Sequence, residues 1–254
     1  MDTSNQSPII NPDDIKRTLT KQVNNVFPIN YTKKEIECIK KIDITNGNVF
    51  RHFGKIGNIN PSKFIQEIGS NSPTVANTFT TLVNKMVNAV CNGYDKDHAW
   101  IDIRTTTPND RFNIPRWHMD GSFFIETPED RKQIQSKFVA ILKGPGTLMV
   151  NSTLKDKDKM HDIMRVNGPK TQEDIMKYFN DEQWQMDIRM KQNTIFARKK
   201  VKQLQNNEGL IFIVGNPEKA LVHSEPPMTE QRIFISILPG TEKQIENLKK
   251  RWKR

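Results

Sequence analysis

From His98 onward the chain breaks into short apolar runs, AWIDIRTT, RWHMDGSFFI, KFVAILKG, GTLMVNS, GLIFIVGN, ALVHSE and RIFISIL, each bounded by Gly, Pro or Asn. Runs of this length match strands, and turn-forming residues at every boundary let consecutive strands fold back on one another. The pattern predicts a β-sandwich or barrel at the centre of an α+β, mainly β, chain. Leu154 to Gln205 interrupts it with a helical segment near Thr171 to Trp184, which reads as an insertion between strands. Ahead of the strands, a helix is expected over Lys33 to Ile42, capped by Thr32. A longer one should follow Ser72-Pro73, with Leu82, Val83, Met86, Val87 and Val90 at helical spacing and a stop near Asn92-Gly93. Both could cover the outside of a sheet. Residues 1–30 have few apolar anchors and read as a tail or loosely docked arm. Residues 241–254 read as a basic helix. The expected division is 1–97 as an N-terminal arm with helices packing on the core, 98–240 as the β core with its insertion at 154–205, and 241–254 as the C-terminal helix.

At 254 residues the chain suits one elaborated domain. No apolar run approaches the length of a membrane span, and the opening MDTSNQSPIINPDD is polar where a secretory signal would be basic and then apolar. An intracellular protein of the cytoplasm or nucleus is expected, with no membrane partner. The two cysteines, Cys38 and Cys91, stand apart, which excludes a CxxC zinc site and a disulfide framework. A net charge of +10 invites nucleic acid as a partner through Ala197–Lys202 (ARKKVK) and Lys249–Arg254 (KKRWKR). The competing account is an A/T-rich coding sequence, of the kind found in a large DNA virus or a protist, which adds Lys without any polyanionic partner. Most charge runs are solvated faces.

Residues two apart on a strand point to the same side, so His118 and Asp120 in Trp117-His118-Met119-Asp120 can offer an imidazole and a carboxylate to one ion. By itself such a pair is weak, since a strand His beside an Asp is more often a surface hydrogen-bonded pair. The second cluster runs from Gly209 to Gly240. It holds a strand, a turn through Gly215-Asn216-Pro217, a short strand ending near His223, a Pro-Pro loop and a strand opening on Arg232. Taken alone, His223 could be a core imidazole and Arg232 could pair with Asp120 or Glu225. His52, His98 and His161 read as ordinary residues of helices or loops, and Trp117 reads as a packing residue.

In that order, His-x-Asp, a distant His and an Arg nine residues later, the region 98–240 resembles the Fe(II)/2-oxoglutarate-dependent dioxygenases. The resemblance implies a double-stranded β-helix core of jelly-roll or cupin-like kind with flanking helices. It implies Fe(II) held by His118, Asp120 and His223 as metal and catalytic residues, with 2-oxoglutarate as co-substrate and O2 as oxidant. Arg232 would anchor the far carboxylate of 2-oxoglutarate through its planar fork. Ser236 and Lys143 would line the same pocket, and Arg104 and Lys143 would lie near the substrate. In many members a Ser follows the Arg by two residues, whereas Phe234 stands here. Strand alternation would turn Arg232, Phe234 and Ser236 inward and Ile233, Ile235 and Ile237 to the other layer. The implied activity is hydroxylation or demethylation with release of succinate and carbon dioxide. A nucleic-acid-directed dioxygenase and a cupin-like metal-binding module without oxygenase activity are the alternatives. No motif names the substrate.

Overall fold

The computed structural model describes residues 8–109 and 113–252. Its N-terminal part comprises α1 (Pro12–Lys21), β1 (Asn25–Pro28), α2 (Lys33–Lys41), β2 (Asn48–Lys55), α3 (Ser62–Glu67) and α4 (Pro73–Tyr94). There follow β3 (His98–Thr106), α5 (Pro128–Lys132), β4 (Gln135–Lys143) and β5 (Leu148–Val150). Next come α6 (Leu154–Asn167), α7 (Gln172–Asn180), α8 (Glu182–Phe196) and β6 (Val201–Gln203). The chain closes with β7 (Glu208–Val214), β8 (Val222–Ser224), β9 (Arg232–Gly240) and α9 (Glu242–Trp252).

The strands form a six-stranded sheet, β1-β7-β4-β9-β3-β2, and a three-stranded sheet, β6-β5-β8. Every pairing is antiparallel. After β3 the chain crosses to the small sheet at His118, returns as β4, crosses again to β5, and repeats this through β7, β8 and β9. This alternation is the connectivity of a double-stranded β-helix, here as two open sheets rather than a closed barrel. Val139, Ile141, Met149, Leu210, Phe212 and Val214 pack between them.

On the outer face of the large sheet, Ile101, Ile103, Ile233, Ile235 and Ile237 meet Phe79, Leu82, Val83, Met86, Val87 and Val90 of α4 in one continuous core. Each such side chain contributes about 1.5–3 kcal/mol by leaving water, which outweighs the modest helix propensity of α4's valines and threonines. Ser72 caps α4, accepting from the Val75 amide with Pro73 in its first turn. Thr32 and Glu35 form a reciprocal capping box on α2.

Several expectations are corrected. Residues 8–30 are no loose arm, because Ile9, Ile10, Ile15, Phe27 and Ile29 are buried and β1 completes an edge of the large sheet. Polar residues mask this in the sequence, since a short helix and a four-residue strand bury few side chains each. RWHMDGSFFI is no strand either. Its partner β8 has only three residues, so the small sheet receives it through a single bridge, His118 to His223. His52 and His98 lie in β2 and at the start of β3. β2 escaped notice because it is a largely exposed edge strand without an apolar run. The segment 171–184 is two helices that meet at Asp181, and α6 precedes them. Both cysteines are buried thiols. Among the described residues no helix is long and apolar enough to cross a membrane.

Candidate metal centre

His118 and His223 face each other because their backbones exchange both hydrogen bonds, His118 N–H to His223 O at 2.9 Å and the reverse at 3.0 Å. Directly opposed residues of such a pair project to the same face, and the imidazole centroids stand 4.3 Å apart. Two residues on, the Gly215 amide donates to the Asp120 carbonyl at 2.8 Å and fixes the backbone there. Gly215 has φ +68°, and a Cβ on it would meet Ser122 Oγ at 1.9 Å, so only glycine allows this approach. The Asp120 carboxylate then lies 3.8 Å from His118 Nε2 and 3.9 Å from His223 Nε2. Ligating atoms of all three residues fall within 4.8 Å of one another. Ligands about 2.1 Å from one ion stand about 3.0–3.4 Å apart, so the three side chains would close inward on an ion from their present spacing.

Both imidazoles use Nδ1 on a backbone carbonyl, Arg116 O at 2.8 Å for His118 and Leu221 O at 3.1 Å for His223. A carbonyl can only accept, so Nδ1 carries the proton and Nε2 keeps its lone pair toward Asp120. Burial lowers the pKa of both imidazoles, that of His223 to about 3 with His118 adding to the effect. Burial pushes the Asp120 carboxyl up, but the Lys137 ammonium and the two histidines outweigh it and the net shift is downward. At neutral pH the trio is two neutral imidazoles and one carboxylate, the protonation state that binding a divalent ion requires. Lys137 Nζ stands 2.5 Å from Asp120 Oδ2 and is the cation paired with this carboxylate. A carboxylate set beside two lone-pair nitrogens is a donor set that fits a metal cation.

The three residues line a cavity of about 400 Å³ with Arg104, Lys137, Thr147, Phe212, Glu225, Arg232, Phe234 and Ser236. As strand alternation requires, Arg232, Phe234 and Ser236 face it while Ile233, Ile235 and Ile237 join the core under α4. Arg232 is 5 % exposed. Its Nε donates to Pro145 O at 3.0 Å and its Nη2 to Thr147 Oγ1 at 3.3 Å, with the guanidinium 5.1 Å from the Phe234 ring centre. Burial pulls its pKa down to about 10. Both carboxylates that could have neutralised it are engaged elsewhere, Glu225 with Arg116 at 2.5 Å and Asp120 with Lys137. Among the described residues Arg232 has no carboxylate partner.

No family model matches the chain, and no curated protein does. Among solved structures it is similar to the Kdo hydroxylase KdoO, a non-haem Fe(II) α-ketoglutarate-dependent dioxygenase, at TM-score 0.48 and 7 % identity over 94 % of this chain and 86 % of that one. It is also similar to a Pseudomonas putida prolyl-4-hydroxylase at TM-score 0.41 and 8 % identity, over 91 % and 98 %. The viral collagen prolyl hydroxylase of Paramecium Bursaria Chlorella virus-1 gives TM-score 0.36 and 11 % identity, over 94 % and 95 %. Scores this low leave the chemistry to be decided by the side chains of this chain.

Lys143 does not join the site. A β-bulge between Ile141 and Lys143 breaks the alternation of β4 and turns the ammonium outward, where it donates to Ile42 O at 2.5 Å. The inward lysine of that strand is Lys137, which sequence reasoning passed over. Its signal was present, because Lys137, Val139 and Ile141 share one face of KFVAILKG. Asp102 was also missed, although Trp100, Asp102 and Arg104 alternate in AWIDIRTT in the same way. Trp117 is a packing residue, buried against Phe196. Of the basic segments, Lys199 pairs with Asp156 at 2.5 Å, while Lys200 and Lys202 border a groove with Lys21, Lys157 and Lys219, apart from the metal cavity. Arg251 pairs with Glu126, and residues 253–254 lie outside the described ones.

Proposed function

We propose that this chain is a non-haem Fe(II)- and 2-oxoglutarate-dependent oxygenase that hydroxylates or demethylates an organic substrate. The observation that carries the reading is the pairing, in one cavity, of an open-sided two-His, one-carboxylate site with Arg232, a buried cation that has no carboxylate partner among the described residues. Two imidazoles and a carboxylate on one face of an ion leave positions free for other ligands, which a purely structural metal site would not need. Bound there, Fe(II) would supply the redox chemistry by which 2-oxoglutarate, O2 and a C–H substrate become succinate, carbon dioxide and an alcohol.

The chain's own residues have separable roles. Arg232 holds the far carboxylate of 2-oxoglutarate by a charge-assisted pair, and the Thr147 and Pro145 contacts keep its fork in place beforehand. Phe212 and Phe234 exclude water from the walls. The Arg116 and Leu221 carbonyls orient the imidazoles, and Lys137 balances the Asp120 charge while the ion is away. Ser236 adds a hydroxyl to the same row, two residues beyond Phe234.

The experiment is a titration of 2-oxoglutarate into Mn(II)-loaded, oxygen-free protein. Losing one partner of a buried charged pair costs about 2–5 kcal/mol, so Arg232→Ala should weaken binding roughly thirtyfold or more. Arg232→Lys should recover only part, because a point charge lacks the fork. Wild-type protein that binds Mn(II) but not 2-oxoglutarate would leave a cupin-like metal module in place of an oxygenase.

A further inference from the structure

We propose that the substrate of this site joins an oxyanion, a carboxylate or a phosphate, to an apolar body. In this assignment Arg104 and Arg51 hold the oxyanion while Trp252, backed by the buried Trp100, receives the body. The proposal names a substrate class for the oxygenase reading and rests on it, but the anion site has its own side chains and its own test.

At its centre is Asp102, 2 % exposed and set on the cavity side of β3. Its Oδ1 accepts from Arg51 Nε and from Trp100 Nε1, each at 3.2 Å, and its Oδ2 accepts from Arg104 Nε at 3.1 Å and Nη2 at 2.8 Å. The carboxylate is thereby fully hydrogen-bonded. Among the described residues two guanidiniums share this one negative charge, which leaves one positive charge in excess. The Arg51 and Arg104 side chains are 47 % and 48 % exposed, so solvent and ligands reach them. Each is pinned at one end by Asp102, which reduces the entropy a ligand must remove on binding. Their planar forks suit carboxylate and phosphate oxygens.

Beside them lies an aromatic surface. Trp100 is stacked on Phe53, ring centres 5.4 Å apart and planes 9° from parallel. Trp252 approaches it from α9 at 5.1 Å, and Phe123 meets it edge-on at 5.6 Å. Trp252 is 50 % exposed, and both tryptophans line the cavity that holds His118, Asp120 and His223. Half-exposed indole next to surplus guanidinium is poorly used by the protein itself. A ligand with a flat or apolar body and an anionic end would cover both. Arg232, which is 5 % exposed, is a separate and more deeply buried cation reserved for the co-substrate.

The test follows tryptophan fluorescence while phenyl phosphate, benzoate and the neutral benzyl alcohol are titrated into the full chain. It is run with and without Mn(II) and 2-oxoglutarate. Phenyl phosphate or benzoate should bind and perturb the emission, and whichever binds more tightly identifies the oxyanion. Benzyl alcohol should bind at least about tenfold more weakly, and Arg104→Gln should weaken the anionic probe by a similar factor. Arg51→Gln, at an exposed edge, provides a second variant that should fold. Arg232→Ala should leave probe binding in place. Equal affinity for the alcohol, indifference to both Arg104→Gln and Arg51→Gln, or displacement of the probe by metal-free 2-oxoglutarate would each overturn the proposal. If the probe behaves as expected while Mn(II)-loaded protein ignores 2-oxoglutarate, the anion site stands and the oxygenase reading falls.

Discussion

His223 shows how a single buried residue links the site to stability. Burial, with His118 beside it, holds its pKa near 3 against 6.5 for a free imidazole. Between those values the unfolded chain binds a proton that the folded chain refuses. The contribution is therefore complete above about pH 6.5 and is lost as pH falls toward 3. Melting temperatures of metal-free protein should decline through that window, and His223→Gln should show a shallower decline. Asp120 is the second test, because an ion bound only by the native state raises the melting temperature by mass action. Added Mn(II) should do so for wild type and not for Asp120→Ala; an unchanged shift would place the ion elsewhere. Lys137 gives an opposite sign. Its ammonium neutralises Asp120 at 2.5 Å, and an arriving cation must displace that pairing. Lys137→Met should raise Mn(II) affinity without co-substrate by about tenfold, measured by calorimetry, whereas a loss of affinity would mean that Lys137 supports the metal site.

At the scale of elements, the ligands are held by short pairings backed by large packed faces. β8 has three residues and His118 adds one bridge, so the small sheet has little stability of its own. It is fixed between the inner core and the helices that follow β5. Gly215 is where this precision is most exposed. Gly215→Ala combines positive φ with a clash at Ser122, and it should cost about 1–3 kcal/mol and lower Mn(II) affinity by moving Asp120. Affinity equal to wild type would separate the turn from the site. α4 is the opposite kind of element. Phe79 is fully buried within it, and Phe79→Ala should cost about 3–5 kcal/mol in denaturant unfolding.

For the molecule as a whole, the insertion between β5 and β6 does more than interrupt strands. Met160 of α6 and Phe196 of α8 cover Trp117, Val150 and Val222 on the outer side of the small sheet. Replacing residues 154–200 by a short linker should expose that patch and unfold the strands carrying His118 and His223, seen as lost cooperative melting. A truncated chain that melts like wild type would show the helices to be a dispensable addition. The C-terminal helix has a comparable double role, with Ile245 and Leu248 buried against Trp100, Phe124 and Leu238 and Trp252 at the cavity mouth.

Six of the seven strand-length runs after His98, all but RWHMDGSFFI, were legible in the sequence, as were the alternation in RIFISIL and the caps at Thr32 and Ser72, because each follows from local periodicity or from hydrogen bonding within a few residues. The convergence of His118, Asp120 and His223 was expected through a resemblance, since no local rule joins residues a hundred positions apart; in the structure it arises from one cross-sheet bridge and one glycine amide. Other features depended on long-range contacts that leave a weak local trace. The bulge that turns Lys143 outward depends on the pairing of β4 with β9. The engagement of Asp120 by Lys137 depends on two elements facing across the sandwich. The burial of Ile9 to Ile29 depends on an open sheet edge that β1 fills. Alternation gives the side of a strand on which a residue lies, and only the packed sheets decide what stands opposite it.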